Sequence, residues 1–118
     1  MKTVYIVDDS DTNLAKAEEA LENDFRVMTL PSAVKMFTLL EKVTPDLILL
    51  DIEMPEMNGF DALERLKANP EWRTIPVIFL TGTINESIKE KSSKLGAAAV
   101  ISKPFTQDTL LNPVKSHI

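Results

Sequence analysis

Residues 47–59 read LILLDIEMPEMNG, from Leu47 to Gly59. Four apolar residues in a row, with no polar alternation, describe a strand buried on both faces rather than on one. The run leads straight into Asp51, and the Glu-Met-Pro that follows is turn chemistry. A strand covered on both sides needs helices above and below it, and this one ends by handing a carboxylate to a loop. The fold and the function both depend on what else arrives beside Asp51.

The other short β-rich runs are TVYIV (3–7), RVMTL (26–30), PVIFL (76–80) and AAVIS (98–102), which with LILL (47–50) read as strands. Between them the apolar residues change to helical spacing. Leu14, Ala17 and Leu21 share one helix face; Ala33, Met36, Phe37 and Leu40 share another behind Ser32 as N-cap. Ala62, Leu63 and Leu66 follow Asn58 as cap, with Gly59 expected at the helix start or at a close backbone approach. Ile84, Ile88 and Leu95 make a thinner stripe that stops at Gly96, and Leu110, Leu111, Val114 and Ile118 make the last helix, which Pro113 is expected to shorten or kink. This alternation implies a three-layer, doubly wound α/β domain with a five-stranded parallel sheet in the order 2-1-3-4-5. Residues 1–118 read as a single domain, with no internal repeat, low-complexity segment or linker.

Composition narrows the function. The chain has 118 residues, 44% hydrophobic and 26% charged, with a formal net charge of -5. The acidic balance argues against direct nucleic-acid binding, which needs an excess of Lys and Arg on some face. The absence of cysteine excludes disulfides, thiolate catalysis and Cys-ligated zinc, and fits a reducing compartment. The opening MKTVYIVDDS has too short an apolar run to read as a signal peptide and no stretch approaches a membrane span, so a cytoplasmic location without membrane contact is expected.

Asp8 and Asp9 follow the first strand, Asp51 the third, Thr81 the fourth and Lys103 the fifth. In a parallel sheet those ends share one edge, where ligands bind. Clustered carboxylates repel: two unit charges about 4 Å apart cost roughly 4 kcal/mol at an effective dielectric of about 20. A hard cation relieves that repulsion, and Mg²⁺ suits a few carboxylates, a backbone carbonyl and water better than Ca²⁺, which wants more protein oxygens. A dication, a lysine and a hydroxyl around a carboxylate are the parts that receive a phosphoryl group. Asp51 is then the nucleophile and acceptor, Asp8 and Asp9 hold the metal, and Lys103 neutralises the transferred charge. Taken alone, Asp8-Asp9-Ser10-Asp11 also reads as a helix-capping cluster, and Thr81-Gly82 as ordinary turn chemistry. Met54 and Met57 read as loop packing, and His117 as having no catalytic part.

At these residues the chain resembles the receiver (CheY-like) domain of bacterial two-component response regulators. VDDS (7–10) matches the acidic pair, LLDIEMPEMNGF (49–60) the phosphoacceptor block, FLTGT (79–83) the hydroxyl block and ISKPF (101–105) the lysine block. The resemblance implies a flavodoxin-like (βα)5 fold and phosphorylation of Asp51 by the phosphohistidine of a sensor histidine kinase or phosphotransfer protein. It implies Mg²⁺, with Mn²⁺ able to substitute, on Asp9, Asp51 and the backbone carbonyl of Glu53, with Asp8 acting mainly through water. Thr81 would swing toward the phosphoryl group and Lys103 would pair with it, beside a cis Lys103–Pro104 bond. Such a domain catalyses its own phosphorylation and slow dephosphorylation without being a turnover enzyme. It signals to a downstream effector domain or protein through its fourth helix, fifth strand and fifth helix, a face that also serves homodimers; an output domain beyond residue 118 is left open.

One departure stands out. Receiver domains usually carry Tyr or Phe three residues before the lysine, and here Val100 occupies that place. A smaller switch at the output face is expected, since no ring is there to rotate. Glu53 and Thr83, two residues after Asp51 and Thr81, are expected to set the phosphorylated lifetime by admitting or obstructing water. Three rival functions fit the residues less well. A haloacid-dehalogenase-type phosphatase needs an aspartate where Glu53 stands, a flavodoxin-like electron carrier needs a phosphate cradle where DDSD (8–11) stands, and an unphosphorylated docking receiver does not need the full acceptor set.

Overall fold

The structure, a computed structural model describing residues 1–118, follows the alternation to the end of the chain. Its elements are β1 (Thr3–Val7), α1 (Asp11–Leu21), β2 (Arg26–Leu30), α2 (Ala33–Leu40), β3 (Leu47–Asp51), α3 (Gly59–Ala68), β4 (Val77–Thr81), α4 (Glu86–Leu95), β5 (Ala99–Ser102) and α5 (Gln107–His117). All strand pairs are parallel, in the order β2-β1-β3-β4-β5. The central strands β1, β3 and β4 are buried at every position, whereas the edge strands β2 and β5 carry exposed residues. The uninterrupted apolar runs belong to the middle of the sheet because both of its faces are covered.

Successive residues of each strand feed opposite cores. Tyr5, Val7, Ile48, Leu50, Val77 and Phe79 face α2 and α3, with Met36, Leu40, Leu63 and Leu66 packed against them. Val4, Ile6, Leu47, Leu49, Ile78 and Leu80 face α1 and α5, against Leu14, Leu21, Leu110 and Val114. Each fully buried Leu or Ile contributes roughly 1.5–3 kcal/mol of hydrophobic free energy. Polar ties register the layers: the Asp46 carboxylate accepts from the Thr3 N–H at 2.8 Å, and the buried Tyr5 hydroxyl donates to the Val43 carbonyl. Burial raises the Tyr5 pKa, so the phenol stays protonated.

Each helix starts on a side chain that accepts an otherwise orphaned amide: Ser10, Ser32, Asn58, Asn85 and Thr106. Gly96 closes α4 at φ 94°, a left-handed cap that a side chain would strain. Two expectations need correction. Ile84 lies outside α4, because the Asn85 cap starts the helix at Glu86, and Ile84 is left 37% exposed in the preceding loop. Pro113 does not shorten α5, which runs on to His117. A helical proline removes one N–H donor, but the reciprocal Thr106–Thr109 capping box and the buried Leu110 and Val114 hold the helix on either side. β1 and β2 keep their expected bounds, whereas β3 extends to include Asp51, β4 runs one residue later to include Thr81, and β5 starts one residue later at Ala99.

α4 is attached differently from the other helices. Ser92 is its only buried residue, and that hydroxyl has no hydrogen-bond partner. The Lys91 ammonium lies 4.4 Å from the centroid of Phe60, whose ring meets Phe79 edge-on at 5.4 Å.

Candidate functional site

Parallel register brings the polar residues to one rim. Val7 is level with Leu50, Asp51 with Leu80, and Thr81 with Ser102, so Asp8, Asp51, Thr81 and Lys103 leave adjacent strands at one end of the sheet. The Lys103 N–H donates to the Thr81 carbonyl at 2.8 Å and extends this alignment one residue beyond β5. The order reverses between β1 and β3, the switch point where α/β sheets open a crevice, and there Asp8 and Asp51 meet.

Asp8 and Asp51 are each 1% exposed, whereas Asp9 is exposed to solvent. One ligand oxygen from each of the three lies within 4.8 Å of the others. Lys103 Nζ donates to Asp51 Oδ1 at 3.0 Å and to Asp8 Oδ2 at 3.4 Å. The Ser10 N–H donates to Asp8 Oδ1 at 2.9 Å, and the Glu53 N–H to Asp51 Oδ1 at 3.2 Å. Both oxygens of Asp8 are therefore engaged, while Asp9 and Asp51 Oδ2 have no protein partner. Burial pushes the Asp51 pKa up to about 6, the Asp8 charge adds to the rise, and the Lys103 and Glu53 hydrogen bonds oppose it. Burial works against the charge on Lys103, but its hydrogen bond to Asp51 and the charges of Asp51 and Asp8 outweigh it and raise the ammonium pKa.

The loop after Asp51 folds back tightly. The Gly59 N–H donates to the Ile52 carbonyl at 2.8 Å, and a Cβ on Gly59 would stand 2.5 Å from the Asp51 carbonyl oxygen. Only glycine lets α3 begin there, the close approach expected from the sequence. Glu56 makes the turn at φ 67°, in the left-handed region. Met54 is buried in the core and Met57 packs beside it. The Lys103–Pro104 bond is cis.

Thr81 is fully buried and its hydroxyl has two possible acceptors: Glu53 Oε1 at 3.2 Å and the Thr83 carbonyl at 3.1 Å. It accepts in turn from the Thr83 N–H at 3.1 Å, and no hydrogen bond joins it to Asp51. The structure thus brings Glu53 and Thr83 to the site, Thr83 through its backbone. Val100 is half-buried on β5, level with Phe79, beside a hollow of about 270 Å³ also lined by Lys89, Ser92 and Ala97 to Ala99. His117 is exposed on α5, its ring bonded to the Pro113 carbonyl.

Sequence reasoning missed two contributions. The Ser10 N–H holds Asp8, and the Glu53 carboxylate reaches Thr81 across 28 residues of sequence. The Asp-x-Ser spacing hints at the first, since an aspartate bonds the N–H two residues on. No sequence signal marks the second.

The arrangement presents a buried carboxylate with one free oxygen, an ammonium beside it and a cluster of oxygen donors suited to a hard dication. A family model described as "Response regulator receiver domain" matches residues 4–115. The chain is 31% identical to the polar-differentiation response regulator DivK of Brucella ovis, over 99% of this chain and 96% of that protein. It is 37% identical to a probable cyclic di-GMP phosphodiesterase of Vibrio cholerae over 98% of this chain, which spans only 26% of that relative's length. Among solved structures, the chemotaxis protein CheY4 of Vibrio cholerae superposes with a TM-score of 0.95 at 25% identity, covering 100% of this chain and 99% of the other. No helix of the structure is long and apolar enough to cross a membrane.

Proposed function

We propose, from the premise that the chain belongs to the response regulator receiver domain family, that Asp51 is its phosphoacceptor. The observation that carries this reading is the Asp51 carboxylate itself: 1% exposed, 3.0 Å from Lys103 Nζ, with Oδ2 free of any protein partner. The phosphorus–nitrogen bond of a phosphohistidine breaks as a phosphorus–oxygen bond to Asp51 forms, and the leaving imidazole nitrogen keeps the electron pair. Water later attacks phosphorus and returns the free carboxylate. The donor is a sensor histidine kinase or a phosphotransfer protein, and the chain accepts one phosphoryl group per molecule rather than turning over.

The oxygen cluster fits a divalent cation. Asp9, Asp51 and the Glu53 carbonyl would hold Mg²⁺ or Mn²⁺ directly, and Asp8, already tied to Ser10 and Lys103, would act through water. When bound, the ion supplies positive charge to the phosphoryl oxygens. Lys103 offsets charge on the same group and Thr81 donates to it. Glu53 and Thr83, at the mouth of the site, set how readily water reaches the acyl phosphate.

Residues 1–118 act as one receiver unit whose output face is α4, β5 and α5, and that face meets an effector domain or protein or a second copy of the chain. With Val100 in place of a ring, the phosphorylation-dependent change at that face is small. The test is mass spectrometry after incubation with acetyl phosphate and Mg²⁺. Wild type gains one phosphoryl group and Asp51→Asn gains none; label on the Asp51→Asn protein, or none on wild type, overturns the assignment.

A further inference from the structure

The Thr81 hydroxyl stands at the rim beside Asp51 but makes none of its hydrogen bonds to it. It has a single proton to give, and its neighbours compete for that proton: the Glu53 carboxylate at 3.2 Å and the Thr83 carbonyl at 3.1 Å, while the Thr83 N–H donates to one of its two lone pairs at 3.1 Å. A carboxylate is the stronger acceptor of the two, because a charged partner roughly doubles a hydrogen bond. Glu53 is exposed, so its grip is moderate and reversible, and it rises from the loop whose N–H already holds Asp51 Oδ1. Thr83 also lies two residues before Asn85, the cap that starts α4. The same hydroxyl therefore joins the loop after β3 to the loop that leads into the lightly anchored α4.

We propose that the Glu53 carboxylate is an off-state latch on Thr81: it holds the hydroxyl, and with it the 82–85 loop, in the unphosphorylated arrangement, and it must be displaced before Thr81 can donate to a group on Asp51. Glu53 is a positioning residue acting through Thr81, apart from its backbone carbonyl and from any effect on water access. The inference rests on the receiver reading above. It predicts that the side chain works against phosphoryl binding through the hydrogen bond and not only through its charge.

Glu53→Ala removes acceptor and charge together, whereas Glu53→Gln removes the charge and keeps an acceptor oxygen. Calorimetric titration with beryllofluoride at saturating Mg²⁺ should show Glu53→Ala binding about threefold tighter than wild type, the scale of one exposed hydrogen bond, with Glu53→Gln between the two. Equal tightening in both variants would reduce Glu53 to charge repulsion, and no tightening in Glu53→Ala would remove the latch altogether; either overturns the proposal. A second measurement needs no phosphate mimic. In the free protein, the three-bond coupling to the Thr81 methyl should show one rotamer in wild type and Glu53→Gln and an averaged one in Glu53→Ala. An unchanged coupling in Glu53→Ala overturns the latch. If wild type takes up no beryllofluoride, the receiver reading fails and the coupling alone decides the latch.

Discussion

Lys103 Nζ and Asp51 Oδ1 stand 3.0 Å apart, although 52 residues separate them in the chain. The pair is unequal: Asp51 is 1% exposed, while the Lys103 side chain keeps 18% of its surface in solvent. Lys103 is the main force holding the Asp51 pKa down against burial. Lys103→Met should therefore move the Asp51 titration midpoint above about 6, read from the carboxyl carbon shift of labelled aspartate. It should also slow phosphorylation by acetyl phosphate roughly 100-fold, as loss of one charge-stabilising donor does. A midpoint that stayed or fell would mean that the ammonium does not govern this carboxylate.

The raised Asp51 pKa ties stability to pH. The metal-free fold binds the Asp51 proton more tightly than the unfolded chain, where the carboxyl titrates near its ordinary value of 3.8. The resulting stabilisation is complete below that value and is lost as pH rises through about 6. Its size is on the order of 2–3 kcal/mol. Metal-free wild type should lose melting temperature between pH 5 and pH 7.5 relative to Asp51→Asn, which lacks the titrating group. Millimolar Mg²⁺ should recover the loss at pH 7.5 and do little at pH 5. Parallel pH profiles for the two proteins would refute the assignment.

Gly59 leaves no room for a side chain. A Cβ there would meet the Asp51 carbonyl oxygen at 2.5 Å and the Ile52 Cα at 2.8 Å, both of them backbone. Gly59→Ala should cost about 1–3 kcal/mol in urea unfolding and should weaken Mg²⁺ binding, because the displaced backbone carries Asp51. Gly82 makes the control, because a Cβ there would meet nothing within 4 Å. Gly82→Ala should unfold close to wild type. Equal losses at the two glycines would show that crowding at Gly59 is not the cause.

The hollow beside Val100 has room for a larger side chain, being about 270 Å³ and walled by Ala97, Ala98 and Ala99. Val100→Tyr should leave the fold intact and enlarge the change in amide exchange across α4, β5 and α5 when beryllofluoride and Mg²⁺ are added. If the substitution left that change at its wild-type size, the valine would not be what limits the output face.

Most of the architecture was legible because parallel strands buried on both faces need uninterrupted apolar runs, as in Val4–Val7 and Leu47–Leu50. The rim was legible because every run but RVMTL (26–30) ends on or leads directly into a charged or hydroxyl residue. What escaped prediction depended on loop path. Ile84 fitted a helical stripe, but the Asn85 cap fixed the start of α4 two residues later. Asp8 and Asp9 are neighbours of identical chemistry, yet one is buried against Lys103 and the other exposed. The Glu53–Thr81 hydrogen bond joins two loops whose meeting no local propensity encodes.

The polar side chains of the rim lie at or just past strand ends, while the strand interiors of β1, β3 and β4 carry only apolar residues packed into the two cores. The rim geometry and most of the apolar burial thus draw on separate sets of positions. Interior residues can exchange among hydrophobes of similar volume at little cost, which gives the stability of the domain a lever separate from the polar rim.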